Sequence, residues 1–221
     1  MSTRAVLVIA AAAVLLAGCG STVSGTATWP GATLEKAALD AGDFPPGVQY
    51  DRIVELPGQP DNTGSPPSMR SRPEGCANAL TNVIAESAER GPGSAVKYAA
   101  TYDGARIVIT VLSWPLDLDK LEAAAGRCAE FEAYFDTRSK GIPITTTDLP
   151  GLSDDALAYQ QTMKLMGSAS SVYMAFQNVG RYGVFGIAFP TPDPSIDVKA
   201  SLPQTFLDVF AKQSVKIRQA I

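Results

Sequence analysis

The segment from Val6 to Ala17 decides how much of this chain can fold. It is apolar, follows a single positive residue, Arg4, and ends at the small residues Ala17-Gly18. A charged start, an apolar core and a small-residue cleavage site make a bacterial secretion signal. The run is well short of the roughly 20 residues needed to span a bilayer. Gly20-Ser21-Thr22-Val23-Ser24-Gly25-Thr26, directly after it, is small and polar. Residues 1–18 are therefore expected to be a signal peptide, which leaves about 200 residues, enough for one domain with a full core.

Leu16-Ala17-Gly18-Cys19 resembles a lipobox. The resemblance implies a lipoprotein, acylated on the Cys19 thiol and cut just before it. One acyl chain holds a membrane weakly and two or more hold it stably; the diacylglycerol that the resemblance implies gives stable anchoring. The expected location is the cell membrane, lipid-anchored on the extracytoplasmic face. Residues 19–32, rich in Ser, Thr, Gly and Ala, then read as the lipidated cysteine and a flexible tether. Residues 33–221 read as a single extracytoplasmic domain.

With Cys19 consumed by lipid, Cys76 and Cys128 remain. An oxidising compartment favours a disulfide between them. It would close a loop of about 50 residues, worth roughly 4 kcal/mol in the chain-entropy model. Two buried free thiols are the alternative. A metal site is poorer, with two thiols, no imidazole and wide spacing.

The chain has no histidine. That removes the Ser-His-Asp and Cys-His constellations and the usual ligands of a catalytic zinc. No motif for paired-carboxylate or Ser-Lys chemistry stands out, so neither catalysis nor a cofactor is expected. The formal charge of −4 becomes one unit more negative when Arg4 leaves, and Lys and Arg are scattered. Nucleic acid binding needs a concentrated cationic face, which argues against that partner.

Along the domain, a short helix is expected from Thr33 to Leu39, with Leu34, Ala37 and Ala38 inward. Val48 to Leu56 reads as a strand and Pro57 to Arg72 as a proline-rich loop. Pro73 sits where a helix starts, running to about Arg90 with Cys76, Leu80, Val83, Ile84 and Ser87 or Ala88 as its stripe. Val96–Tyr102 and Arg106–Trp114 form a hairpin across Asp103-Gly104, a favoured two-residue turn. The second strand is apolar on both faces and so central. A long helix follows, from Asp117 or Asp119 to about Phe135, with Leu118, Leu121, Ala125, Cys128, Phe131 and Phe135 buried. Strands are expected over Ile142–Asp148, Ala156–Met163, Ser170–Asn178 and Tyr182–Phe189, the last placing Phe185, Ile187 and Phe189 inward. A final helix from Pro203 buries Phe206, Val209, Phe210 and Ile217. Hairpin strands between helices predict an α+β domain: a single antiparallel sheet with two or three helices packed against it.

Few constellations suggest chemistry. Asp154-Asp155 could hold calcium, which wants six to eight oxygens; solvated loop charge is the commoner role. Glu130 and Glu132 flank Phe131 and, on a helix, would not face each other. Gly180-Arg181-Tyr182-Gly183 joins two strands, a hairpin rather than a phosphate cradle. Arg70 and Arg72 could hold a phosphate or carboxylate, or simply sit in an exposed loop. Trp114, Tyr98, Tyr102, Tyr173 and Tyr182 could line a groove, but such residues more often fill a sheet–helix interface.

Two cysteine-bearing segments, Pro73-Glu74-Gly75-Cys76 and Leu121-Glu122-Ala123-Ala124-Ala125-Gly126-Arg127-Cys128, are separated by a strand pair. The pattern resembles actinobacterial, specifically mycobacterial, cell-envelope lipoproteins. It is distantly similar to the extracellular sensor domain of PknH-type receptor kinases. Those domains carry a second disulfide with a late cysteine, and here no cysteine follows Cys128. The Mog1/PsbP-like α+β fold of other lipoproteins is a second candidate. The expected function is a non-catalytic ligand-binding or sensor-like module on the outer face of the plasma membrane. Its membrane contact is the lipid anchor, and its ligand a lipid, a glycan or an envelope protein. The alternatives are an accessory or scaffold lipoprotein of an envelope complex, and a cryptic hydrolase with a serine or carboxylate pair in a cleft.

Overall fold

Every strand in the structure, a computed structural model, joins one antiparallel sheet. The structure describes residues 30–54, 69–88, 93–136, 138, 140–165, 167–191 and 202–220. Nine strands occur among them: β1 (Gln49–Ile53), β2 (Arg70–Arg72), β3 (Ala95–Tyr102), β4 (Ala105–Leu112), β5 (Glu130–Tyr134), β6 (Ile142–Asp148), β7 (Ala156–Leu165), β8 (Ser168–Val179) and β9 (Tyr182–Pro190). Their order is β1-β3-β4-β9-β8-β7-β6-β5-β2. The α-helices among the described residues are α1 (Pro30–Ala37), α2 (Ala79–Ala88), α3 (Leu118–Arg127) and α4 (Leu202–Ala220). This is the α+β class with a single antiparallel sheet.

The β3–β4 hairpin turns at Asp103-Gly104, where both residues have positive φ, 55° and 73°. That is the mirror-image turn whose twist matches the strands. The strand β4 is buried along almost its whole length, as expected of a central strand. Its odd residues, Ile107, Ile109 and Val111, join one core, and Leu112 joins the other.

The helices divide between the two faces. On one face, α1 and α4 pack on β3, β4, β8 and β9, burying Leu34, Ala37, Phe206, Phe210 and Ile217 completely. The α4 side chain Gln213, fully buried, ties this layer together. Its Oε1 accepts from the Leu39 amide and the Tyr98 hydroxyl, both at 3.0 Å, and its Nε2 donates to the Ala37 carbonyl at 2.7 Å. On the other face, α2 and α3 lie over Met174 and Phe176. No helix among the described residues is long and apolar enough to cross a membrane.

Several boundaries differ from expectation. Thr33 lies inside α1, which begins at Pro30. Pro73 does not start a helix. β2 ends at Arg72, and a 3-10 turn over Cys76–Asn78 leads into α2. The Ser71 hydroxyl on β2 accepts from the Cys76 and Ala77 amides, at 2.8 and 3.1 Å, and so caps the start of this turn. The helix expected to run to Phe135 ends at Arg127, and Glu130–Tyr134 forms strand β5 against β6. On β9 the buried side chains in the core beneath α4 are Tyr182, Val184 and Ala188; Gly183 and Gly186 are buried as well. Phe185 and Ile187 point to the opposite face and are half-buried there. Leu56 and Arg90 lie outside the described residues, and the side chains of Ser87 and Ala88 are not described.

Candidate functional site

The C-terminal half of α3, the end of β6, the start of β7 and the connection between these strands enclose an open cleft of about 1030 Å³. Each wall has a local reason to be where it is. Asp117 caps α3, accepting from the Lys120 amide at 3.0 Å. Leu121, Ala124 and Ala125 face the sheet, which leaves Glu122 and Gly126 towards the cleft. At its far end α3 is stitched to β6 through Thr146. The Thr146 amide donates to Ala129 O at 2.7 Å and its hydroxyl to Cys128 O at 2.9 Å. Cys128, the residue that ends α3, is bridged to Cys76 with Cα atoms 5.4 Å apart, within the usual disulfide range.

The connecting loop is pinned from the other face of the sheet. Gln177 Nε2 donates to Ser153 Oγ at 3.2 Å and to Asp155 Oδ1 at 2.9 Å, while its Oε1 accepts from the α4 hydroxyl of Ser214 at 2.6 Å. The Leu149 amide donates to Ala158 O and the Ala156 amide to Ser153 O, each at 2.9 Å. The Ser153 hydroxyl, foremost, and the Gln177 amide hold the Asp155 carboxyl below its ordinary range, against a smaller effect of burial.

Tyr159 forms part of the cleft wall. It is 4% exposed and packs against Phe176 with ring centroids 6.3 Å apart. Its register partner across the β6–β7 pair is Asp148. Burial first, then the Glu122 and Asp148 carboxylates, push its hydroxyl up to about 12. It therefore stays a neutral donor at physiological pH. Among the described residues, three carboxylates line the cleft, those of Glu122, Asp148 and Asp154, and no Lys or Arg does.

The residues singled out in the sequence fall largely elsewhere. Cys19 lies outside the described residues. Cys76 and Cys128 form the expected disulfide. Asp154 reaches the cleft rim while Asp155 is taken by Gln177, and no group of three or more Asp, Glu, Cys or His among the described residues could hold a metal ion. Glu130 and Glu132 are on a strand, not a helix, so they do share the exposed face of β5. Arg70 and Arg72 sit on edge strand β2 opposite Tyr134 and Glu132, so the arginine pair faces an acidic neighbour rather than an open loop. Trp114, Tyr98, Tyr173 and Tyr182 fill the two cores. Gly180-Arg181 is a hairpin turn, with the Arg181 guanidinium 5.2 Å from the Tyr182 ring centroid.

Sequence reasoning missed Glu122, Asp148 and Tyr159. They come from three elements and share no spacing, so no motif could reveal them. Gly126, in an otherwise alanine-rich helix, is the one trace the cleft leaves locally: a Cβ built there meets nothing within 4 Å.

No protein-family model matches the chain, and no curated protein matches it. Among solved structures it is similar to an uncharacterized protein of Mycobacterium smegmatis, the ortholog of Rv0999, with a TM-score of 0.46 and 16% identity. The match covers 86% of this chain and 95% of that one.

Proposed function

We propose that this protein is a membrane-anchored cell-envelope lipoprotein whose domain is a non-catalytic ligand-binding module on the outer face of the plasma membrane. The cleft between α3 and the β6–β7 connection is its ligand site. The observation that carries this reading is the cleft itself, about 1030 Å³ in volume and open beside two filled cores. Its size suits a small ligand. Its walls are held by the disulfide and by the Thr146 and Gln177 hydrogen bonds, so it is preformed. The disulfide suits an oxidising compartment, in keeping with the secretion signal and lipobox-like Leu16–Cys19 stretch. Ser153, the serine in the cleft, is engaged by Gln177 and Asp155 and has no imidazole beside it. That favours binding over hydrolysis.

Native mass spectrometry of the mature protein, purified with its anchor from envelope membranes in mild detergent, tests this. The expected result is a Cys19-acylated protein carrying small molecules of one chemical class. An empty domain with a reproducible protein partner would overturn the ligand reading in favour of a scaffold.

A further inference from the structure

A second cavity, of about 520 Å³, lies where the start of β8, the end of β9, the β3–β4 turn and the first turn of α4 meet. The cleft lies against residues 156–159 of β7, which pair with residues 174–177 of β8; this cavity takes residues 169–171 and 173 of β8 instead. Its charge is balanced. The buried Asp103 carboxylate accepts from the Thr205 hydroxyl at 2.7 Å, in the first turn of α4. The negative charge therefore meets the positive end of a 19-residue helix. Among the described residues no Lys or Arg lines the cavity. At Ser171 the wall joins a network on the α4 face of the sheet. Gln160 Nε2 donates to Ser171 Oγ at 2.9 Å and to Thr162 Oγ1 at 3.3 Å, and the two hydroxyl oxygens lie 3.0 Å apart. Each hydroxyl has one proton and a single bond joins the pair, so one proton is left over. Gln160 holds both oxygens in place whichever keeps it. The Gln160 Oε1 accepts from no described residue. A positioned donor and an amide acceptor thus stand side by side at the edge of the cavity.

We infer that this cavity takes an uncharged sugar unit of a glycan, held by the Ser171–Thr162–Gln160 network, as a binding site separate from the cleft and independent of it. A sugar hydroxyl both donates and accepts, so neighbouring hydroxyls use the spare proton and the Gln160 oxygen together. Pro190, Leu202 and Pro203 supply apolar surface for the C–H side of a sugar ring. An anion would meet the Asp103 charge. A cation would find that carboxylate engaged by Thr205 and offset by the helix end. An acyl chain would take the Ser171 hydroxyl out of water and give it no partner for the spare proton. The volume suits a small ligand.

The test is isothermal titration of the full-length anchored protein, in a detergent without a sugar headgroup. The probes are neutral trisaccharides of glucose, galactose, mannose and xylose, with chitosan trisaccharide and trigalacturonate as the cationic and anionic counterparts. A neutral trisaccharide is expected to bind saturably, and more tightly than either charged one. Ser171→Val, which suits a strand, is expected to weaken it by about three- to tenfold, the scale of a lost hydrogen bond. Ala169 is exposed at the rim and on the same face as Ser171, so Ala169→Trp is expected to abolish binding with the melting midpoint unchanged. No binding of any neutral trisaccharide, equal or tighter binding of a charged one, or unchanged affinity in either variant overturns the inference. Gly126→Trp, which fills the cleft, is expected to leave this binding as it was. Loss of the trisaccharide in Gly126→Trp and not in Ala169→Trp would place the glycan in the cleft, sparing the reading of the cleft and overturning this one.

Discussion

On one face of the sheet α1 and α4 close over Ile109, Gly186 and Tyr98; on the other α2 and α3 lie over Met174 and Phe176 beside an open cleft. The first layer joins the two ends of the domain. Its key polar contact, Leu39 to Gln213, spans 174 residues, and it is held by complete burial and satisfied hydrogen bonds. The second layer sets α2 and α3 on a buried cluster of its own, and a disulfide between Cys76, in the turn before α2, and Cys128, just after α3, ties the two across 52 residues. Short helices bury little surface and are marginal alone. The cleft opens at the far side of α3, between that helix and the β6–β7 connection, outside the part of the layer that the disulfide and the buried cluster hold.

Breaking the first layer should cost most. Phe210→Ala removes a completely buried ring, and about 3–5 kcal/mol of stability should go with it in denaturant unfolding. Breaking the second layer through Cys76→Ser with Cys128→Ser should cost about 2–4 kcal/mol. Hydrogen exchange should show the loss of protection concentrated in α2 and α3, with α4 protected as before. Uniform loss in both layers would mean that the two are not distinct.

Two glycines sharpen the contrast. A Cβ at Gly186 would stand 2.7 Å from Ile109 Cδ1 and 2.9 Å from Phe206 Cε2. Gly186→Ala should therefore lower the melting midpoint, by about 1–3 kcal/mol in stability, through overpacking under α4. Gly126→Ala, whose Cβ enters the cleft, should raise stability by up to about 1 kcal/mol through helix propensity.

The smallest effect is electrostatic. Burial tends to raise the Asp43 carboxyl, but the Lys216 hydrogen bond, the Asp40 amide and the charges of Lys216 and Lys212 together hold it below its ordinary 3.8. A depressed carboxyl stabilises the fold above its unfolded value and loses that contribution as pH falls through its folded value. Urea midpoints should therefore drop below about pH 4, by less than about 1 kcal/mol because the pair is partly exposed. Lys216→Ala should flatten that drop, since Lys216 also pairs with Asp40 at 3.1 Å and anchors α4 to the start of the domain.

Much of the first layer was legible in the sequence. Phe206, Val209, Phe210 and Ile217 repeat at helical spacing, and Asp103-Gly104 announces its turn chemistry. The second layer was legible only in part. Leu121, Ala125, Cys128, Phe131 and Phe135 keep helical spacing, which extended the expected helix past its end. Phe131 and Ala133 also alternate as a strand does, and pairing with Ile144 and Ile142 decides between the two. Where two periods fit the same residues, tertiary hydrogen bonding chooses.

By itself, the sequence determined the class, the central hairpin, the last helix and the cysteine partnership, because each rests on neighbours along the chain or on there being no other choice of partner. The tertiary structure decided which face each helix covers, the side to which β9 presents Val184 rather than Phe185, and the meeting of Glu122, Asp148 and Tyr159 in one cleft. Those depend on strand order and on how far a short helix reaches across a sheet. Neither is written in local periodicity, since a buried apolar residue looks alike on either face until the sheet's neighbours are known.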